Sequence, residues 1–229
     1  SGDWLSSMML PCANGAGVVV GNASSIKPAG GFVAFDQLAD TVTWMSGALK
    51  GCCHRCSNFN WGFRRDLFFE NKGFSTSLNL HQGDDDIFFS EIAARDKVAV
   101  VLNDESLVRY DLFNQNKIYR LSKLSHIFTG KRVSGKSRLM MATGSWAIWL
   151  WLISLSVAAA VTLPDMFALT VGVVFSLIML VVLSLSWRKL SKSLSIPVCW
   201  WLAPLFMLCR PIYNFCFLVV AHIKRERNY

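Results

Sequence analysis

The sequence predicts a mixed α/β domain followed by an α-helical membrane domain, and three observations support this prediction. Residues 1–140 contain 16 Lys/Arg and 13 Asp/Glu, whereas residues 141–229 contain 7 and 2 among long apolar runs. In the first part, short apolar runs bounded by glycines alternate with longer segments of helical periodicity. In the second part, two apolar runs are each long enough to cross a bilayer.

The first part begins with a strand and a long helix. The valine-rich run at residues 17–21 lies between glycines, which is typical of a short buried strand. These glycines do not form a phosphate-binding loop, because no Gly-Lys-Ser/Thr follows them. At residues 32–49 apolar side chains recur every three or four positions, which predicts an amphipathic helix that ends at Gly51. Residues 24–31 are predicted to be the loop before it.

A cysteine-rich stretch, Cys52-Cys53-His54-Arg55-Cys56, follows this helix. Zinc is one interpretation, but a structural zinc site usually takes four ligands from two well-separated pairs, and the second pair is lacking. Buried or loop thiols are the favoured interpretation. The seven cysteines show no spacing typical of a disulfide scaffold and fit reduced cytosolic thiols.

Residues 58–74 predict a short strand and then a helix, capped near Asp66 and closed by Gly73. Asn60 stands just before this strand and could be an ordinary turn residue. The pair Arg64-Arg65 could be a surface pair or a contact to an anion.

Three consecutive aspartates, Asp84, Asp85 and Asp86, follow Gly83 and precede an apolar helical pattern that ends at Ala94. Like charges this close repel one another. They are tolerated at a helix N-terminus, on a solvated face, or near a cation or a basic substrate group. One interpretation is a helix N-cap with extra acid for the helix dipole, and the other is a catalytic carboxylate at the helix start. The local pattern by itself favours the cap.

Residues 98–102 and 106–110 predict two further strands. The segment after them, residues 113–141, is rich in lysine and arginine with aromatic residues and leucines between them. Nucleic acid could bind such a segment, but membrane sequence follows directly. We therefore expect no nucleic acid, and predict a basic amphipathic segment that faces anionic membrane lipids.

Residues 142–187 predict a transmembrane hairpin. Its apolar runs, residues 142–163 and 166–187, are joined by a turn at Pro164-Asp165, and about 20 helical residues cross the hydrocarbon core. Lysines and arginines flank the hairpin on both sides. The positive-inside rule then places both flanks, and with them the soluble domain, in the cytoplasm.

Residues 188–229 contain a basic loop, a further apolar stretch at residues 196–223 and a basic tail. The apolar stretch includes Arg210-Pro211. An arginine at mid-bilayer costs about 2.5 to 3.5 kcal/mol on insertion scales. Two interfacial or re-entrant helices with a hinge at Arg210-Pro211 are therefore favoured over a third span.

In this order of elements, the chain resembles a membrane-bound family 2 glycosyltransferase, of the bacterial type that makes cell-surface polysaccharides and glycolipids. The resemblance is carried by Ser1-Gly2-Asp3-Trp4-Leu5, by the strand at residues 18–21, by Asn60-Trp61-Gly62-Phe63-Arg64-Arg65 and by Gly83-Asp84-Asp85-Asp86-Ile87-Phe88. It implies that residues 1–112 are the C-terminal part of a GT-A (Rossmann-like) catalytic domain.

The resemblance also implies the cofactor and the partners. In that family an Asp-x-Asp motif, which binds a divalent metal (Mg²⁺ or Mn²⁺) and the donor pyrophosphate, precedes the segment that matches residues 1–5. The metal would then be bound upstream of Ser1, and this chain alone would be inactive. The partners would be a nucleotide-sugar donor, a glycan or lipid-linked acceptor, and lipids of the inner (plasma) membrane, which a multi-pass protein would cross.

Site residues follow from the same resemblance. Asp85 would be the general base, which takes a proton from the acceptor hydroxyl as that oxygen attacks the anomeric carbon with inversion. Asp84 and Asp86 would support it through like-charge proximity or by holding the helix start. Asn60 and Arg64 would line the site.

Residues 122–126 match a Gln-Lys-x-Arg-His-like element of the family. Lys123 and His126 are kept and would bind substrate, while serines replace the expected glutamine and arginine. This departure weakens the assignment of acceptor and diphosphate binding to this window.

Two other functions compete with glycosyl transfer. A non-enzymatic membrane scaffold or interaction protein would use the aspartate run only as a helix cap. A metal-dependent phosphohydrolase would use the same run for catalysis, but such sites usually draw their ligands from several separated segments.

Overall fold

The computed structural model describes residues 3–27, 30–77, 84–111, 115–130, 135–162 and 166–227. It is mostly helical, at 69%, with a small mixed sheet. In chain order the elements are α1 (Trp4–Ala13), β1 (Val18–Gly21), β2 (Ala23–Ser25), α2 (Gly31–Leu49), β3 (Trp61–Phe63), α3 (Arg65–Glu70), α4 (Asp84–Ala93), β4 (Val98–Val101), a 3₁₀ helix (Asp104–Ser106), β5 (Val108–Tyr110), α5 (Gln115–Gly130), α6 (Gly135–Thr162), α7 (Met166–Ser193), a second 3₁₀ helix (Trp200–Leu202) and α8 (Ala203–Arg227).

β1 is the central strand of a three-stranded mixed sheet. It pairs in parallel with β4, with Val18 opposite Val98, and antiparallel with β3, with Val18 opposite Phe63. Val18, Val19 and Val20 are at most 1% exposed, as expected for an apolar strand that is covered on both faces. β2 and β5 form a separate parallel pair.

The main hydrophobic core lies between this sheet, α2 and α4. Leu38 of α2 packs there with Phe88 and Phe89 of α4, and all three are at most 1% exposed. The same core includes Leu194 and Ile196, which follow α7 in the chain. The chain therefore returns to the globular part after its long apolar helices.

Most of the predicted elements are confirmed, with small shifts at their ends. They include the buried strand at residues 17–21, the helix at 32–49, the helix behind the aspartates, and strands within 98–102 and 106–110. The predicted loop at residues 24–31 is corrected, because its first residues belong to β2. Their partner, β5, lies far along the chain and is not visible in the local pattern. The small sheet by itself does not establish a Rossmann-like or GT-A fold.

Two helical stretches of the described chain are long and apolar enough to cross a membrane, Met166–Ser193 and Trp200–Ile223. Only 6% of the apolar window of the first is buried, and large exposed apolar surfaces mark sites of interaction or membrane contact. α6 carries a shorter apolar stretch, Trp146–Val161, and packs against α7. These helices suggest association with a membrane.

The C-terminal helix corrects a further prediction. α8 is one continuous helix from Ala203 to Arg227 and has no hinge at Arg210-Pro211. Pro211 removes one backbone hydrogen bond from the helix. The Arg210 side chain, however, is buried against two aspartates of α2. Those carboxylates neutralise the charge whose cost favoured a hinge.

Candidate functional site

A cavity of about 190 Å³ lies between α2 and α5. Its wall is built from β2, α2, the loop at residues 55–59, the end of β5, α5 and Ile196-Pro197. We call it the α2–α5 cavity. Its ionisable side chains include Asp40, Arg55, Lys123 and His126. Only the tertiary fold brings these distant segments together.

An ion pair between Arg55 and Asp86 joins the aspartate-rich start of α4 to α5. The Nε of Arg55 donates to both carboxylate oxygens of Asp86, at 3.2 Å each. Its Nη2 donates to the carbonyl of His126 and to the hydroxyl of Thr129, both at 3.3 Å. Thr129 in turn donates to Asp86 at 3.2 Å. Because Asp86 is only 5% exposed, these bonds provide the compensation that a buried charge needs.

A second buried cluster joins α2, α5 and α8. Asp36 is fully buried and accepts hydrogen bonds from Lys123 Nζ at 2.5 Å and Arg210 Nε at 2.8 Å. The Tyr119 hydroxyl also donates to Asp36, at 2.5 Å. Asp40 accepts from Lys123 at 3.0 Å and from Arg210 at 2.6 Å. Asp36 and Asp40 share one helix face because they are four residues apart, so two carboxylates face two cations.

This pairing controls the charge states within the cluster. Burial alone would raise the pKa of Asp40, but the positive charges of Lys123 and Arg210 outweigh it and hold that pKa well below its usual range. Burial alone would lower the pKa of Lys123, but Asp40 and Asp36 outweigh it and raise that pKa. The two groups therefore remain ionised around neutral pH.

The two histidines near the cavity are neutral at pH 7. Burial, followed by the charge of Arg55, lowers the pKa of His126 to about 4. The same two causes lower the pKa of His54 to about 4. His126 Nε2 lies 3.9 Å from an oxygen of Asp86. The negative charge of Asp86 raises the pKa of His126 by less than burial lowers it.

The lowered pKa values of His54 and His126 predict that the folded protein loses stability in mild acid. Unfolded histidine has a pKa of about 6.5, so between pH 6.5 and 4 the unfolded state binds protons that the folded state does not. The free energy of unfolding is therefore highest above pH 6.5, as far as these histidines determine it. It falls as the pH decreases towards 4, by an amount on the order of 3 kcal/mol for each histidine. We expect the melting temperature, followed by circular dichroism, to fall over this interval.

Substitution of His126 tests whether this histidine, and not a neighbouring charged group, causes the fall in melting temperature. The charged groups that act on His126 are Arg55, Asp86, Asp40 and Lys123. We expect His126→Gln to reduce the acid-induced fall, whereas the same change at the exposed His222 should leave it intact. A melting temperature that stays constant from pH 6.5 to 4 would contradict the neutral assignment.

The aspartates at the start of α4 occupy different environments. Asp85 is half-buried, and its Oδ1 accepts a hydrogen bond from the backbone N–H of Asp86 at 2.9 Å. Burial, and then nearby charges that include Asp86 and Asp85, raise the pKa of Cys56, which lines the cavity. Asp85 does not line the cavity, but the next residue, Asp86, pairs with Arg55 of the cavity wall. Asp84 begins α4, but its side chain and Gly83 lie outside the described residues.

Asn60 and Arg64, which the resemblance assigns to the site, do not line this cavity. Asn60 is 1% exposed; its Nδ2 donates to two backbone carbonyls at 2.6 Å, and its Oδ1 accepts from Trp4. Arg64 pairs at the surface with Asp66 at 3.2 Å and Asp96 at 3.1 Å. Apart from Asp66, these partners come from other segments of the chain, so local sequence could not separate these structural roles from substrate contact. Of the predicted binding residues, Lys123 and His126 do line the cavity.

Sequence reasoning missed Asp36, Asp40 and Arg55. The two aspartates lie four residues apart in α2, which predicts a shared helix face but not its burial. Because the structure buries Asp36, this pair requires cationic partners. Arg55 stood inside the cysteine-rich stretch, and nothing nearby in the sequence identified Asp86 as its partner.

The cysteine-rich loop forms no metal centre in the described ranges. There, no group of three or more His, Cys, Asp or Glu side chains could hold a metal ion. Burial raises the pKa of Cys53 to about 11, and burial with nearby negative charge raises that of Cys56, so both thiols are protonated and unreactive at neutral pH. The Mg²⁺ or Mn²⁺ that the resemblance implies thus has no fitting ligand set among these side chains.

Comparisons with known proteins identify no relative. No family model, no curated protein and no solved structure matches the chain. The glycosyltransferase resemblance therefore remains a prediction that rests on the sequence motifs.

Proposed function

We propose that this protein is part of a membrane-bound glycosyltransferase, which transfers a sugar from a nucleotide-sugar donor to a glycan or lipid-linked acceptor. One observation carries the proposal. The Arg55–Asp86 ion pair holds the aspartate-rich start of α4 beside α5, which bears Lys123 and His126. Two segments that the resemblance assigns to catalysis and to substrate binding therefore lie next to each other.

Asp85 and Asp86 lie in different environments, and we assign them different roles. Asp86 is buried and engaged with Arg55, so it holds the start of α4 in position. Asp85, which is more exposed, is the proposed general base. It would take the proton of the acceptor hydroxyl while that oxygen bonds to the anomeric carbon, the bond to the nucleoside diphosphate breaks, and the configuration inverts.

Donor and metal binding are not assigned to the described residues. In the family that the chain resembles, the Asp-x-Asp motif for Mg²⁺ or Mn²⁺ and the donor pyrophosphate precedes the segment that matches residues 1–5. The GT-A assignment of residues 1–112 belongs to the same proposal. It is supported by the buried central strand β1 and its parallel neighbour β4.

We further propose a multi-pass protein of the inner membrane with its catalytic part in the cytoplasm. The exposed apolar surface of α7 supports this placement, as do the basic residues at its C-terminal end. The ion pairs of Arg210 with α2 hold α8 against the globular part. α8 would then lie along the membrane surface, with exposed Leu205, Ile212 and Phe215 facing lipid.

A transfer assay tests the proposed function. Membranes that contain the full-length polypeptide, supplied with Mg²⁺ or Mn²⁺ and a panel of labelled nucleotide sugars, should incorporate one sugar into glycan or lipid. If no nucleotide sugar gave a labelled product in these membranes, the proposed function would be contradicted.

A non-enzymatic membrane scaffold is the alternative function. The structural use of Asp86 and of Asp36 favours it, because both carboxylates are fully engaged in joining helices. If the full-length protein bound no nucleotide sugar in a filter-binding assay, the scaffold would replace the enzyme as the conclusion.

A further inference from the structure

The charges around the α2–α5 cavity balance. Arg55, Lys123 and Arg210 provide three positive charges, and Asp36, Asp40 and Asp86 provide three negative charges in direct ion pairs with them. His126, the remaining basic side chain of the wall, is neutral at pH 7. An anion that entered the cavity would lose its hydration and find no unpaired cation among the described residues of the wall.

The wall also carries neutral hydrogen-bonding groups. The side chains of Gln37, Asn58 and Ser122 line the cavity, and none of the hydrogen bonds found within the described residues uses them. Burial raises the pKa of the Tyr110 hydroxyl, so this group remains a protonated donor. These amides and hydroxyls can both donate and accept, which matches a ligand rich in hydroxyl groups.

Aromatic rings form another part of the wall. Phe59 and Tyr110 stack at a centroid distance of 4.3 Å, and Phe59 is 45% exposed although its ring is large and apolar. Trp44 of α2 also lines the cavity. Aromatic rings offer rigid apolar surface, and the faces of a sugar ring that carry C–H groups can pack on it.

The cavity is also small. Its volume of about 190 Å³ lies below the roughly 300 to 1,000 Å³ of pockets that hold drug-sized ligands. It therefore suits one ring with its hydroxyl groups.

We propose that the α2–α5 cavity binds one uncharged sugar ring and discriminates against ligands that carry phosphate or carboxylate. This inference rests on the proposed function, in which the ring is the terminal unit of the acceptor. It also changes the expected role of Lys123. Lys123 is held by Asp36 and Asp40, so it shapes a neutral cavity and does not bind a diphosphate.

Direct binding tests the inference without any transfer reaction. The full-length protein in detergent micelles is titrated with methyl β-glucoside, methyl β-N-acetylglucosaminide, methyl β-glucuronide and inorganic pyrophosphate, and binding is read by saturation-transfer NMR. We expect saturable binding of a neutral glycoside, at least about tenfold tighter than that of the glucuronide and of pyrophosphate.

Two substitutions link such binding to the cavity. Phe59→Ala should weaken neutral glycoside binding about tenfold, whereas Phe69→Ala, an exposed aromatic on α3 outside the cavity, should not change it. Asp40→Asn removes one of the two carboxylates that pair with Lys123, and should increase glucuronide binding. Circular dichroism melts of each variant confirm that it is folded.

Several results would overturn the inference. They are equal or tighter binding of pyrophosphate or glucuronide, the absence of any neutral glycoside binding, and glycoside binding that does not respond to Phe59→Ala. Failure of the proposed function would give a different result from failure of this inference. In that case the neutral glycoside would bind and respond to Phe59→Ala, but the membranes would transfer no sugar from any donor.

Discussion

Replacing Asp85 with asparagine in the full-length protein is expected to lower sugar transfer by a factor of about 10² to 10⁴ and to leave the fold intact. Asparagine has nearly the same shape as aspartate but cannot accept the proton of the acceptor hydroxyl. Asp85 is half-buried, and the side-chain oxygen of asparagine can still accept the hydrogen bond from the backbone N–H of Asp86. Initial transfer rates and thermal melts measure the two effects.

Two further substitutions serve as controls. Asp104→Asn changes an exposed carboxylate at the start of a 3₁₀ helix and should leave the transfer rate unchanged. Asp86→Asn should act mainly on stability, because it removes the charge that pairs with buried Arg55. If the Asp85→Asn variant retained its transfer rate, Asp85 would not be the general base and another residue would have that role.

Replacing Asp36 with alanine is expected to destabilise the protein by about 3 to 5 kcal/mol, the cost of removing one partner from a buried ion pair. Asp36 is fully buried and accepts hydrogen bonds from Lys123 and Arg210. Without it, two buried cations share the single carboxylate of Asp40. Chemical unfolding in detergent micelles, followed by circular dichroism, measures the loss.

Asp66→Ala is the matched control for Asp36→Ala. Asp66 also pairs with an arginine, but the side chains of Arg64 and Asp66 are 44% and 52% exposed. An exposed pair of this kind contributes about 0 to 1 kcal/mol. Limited proteolysis adds a second measurement, since loss of the Asp36 contacts should make the α2-facing part of α8 more susceptible to cleavage. Equal stability of the two variants would show that the buried cluster does not hold α8 in place.

Much of the secondary structure follows from local patterns. The valines of β1 between glycines, and the period of three to four in α2, are each visible within about 20 residues of sequence. The apolar run of α7 is long enough to predict a span from composition alone. β2 was missed because its three residues have no strand-like pattern of their own and depend on pairing with β5.

The candidate site was predictable in part. Lys123 and His126 were identified from a short motif, and the structure places both at one cavity. Asn60 and Arg64 also belong to a motif, and one with no such departure from the glycosyltransferase pattern, yet their side chains pair with polar groups outside the cavity. A motif specifies residue types in order, whereas the three-dimensional partner decides what each side chain does.

The sequence by itself determined the division into a globular part and apolar helices, the central strand, and the concentration of acid at the start of α4. These features depend on the hydrophobicity, periodicity and charge of neighbouring residues. Only the tertiary structure decided how the charges pair. Arg210 meets Asp36, 174 residues away, and this contact turns an apparently costly intramembrane arginine into part of a buried ion-pair cluster. Such pairing depends on which helices pack together, and that is a property of the whole fold.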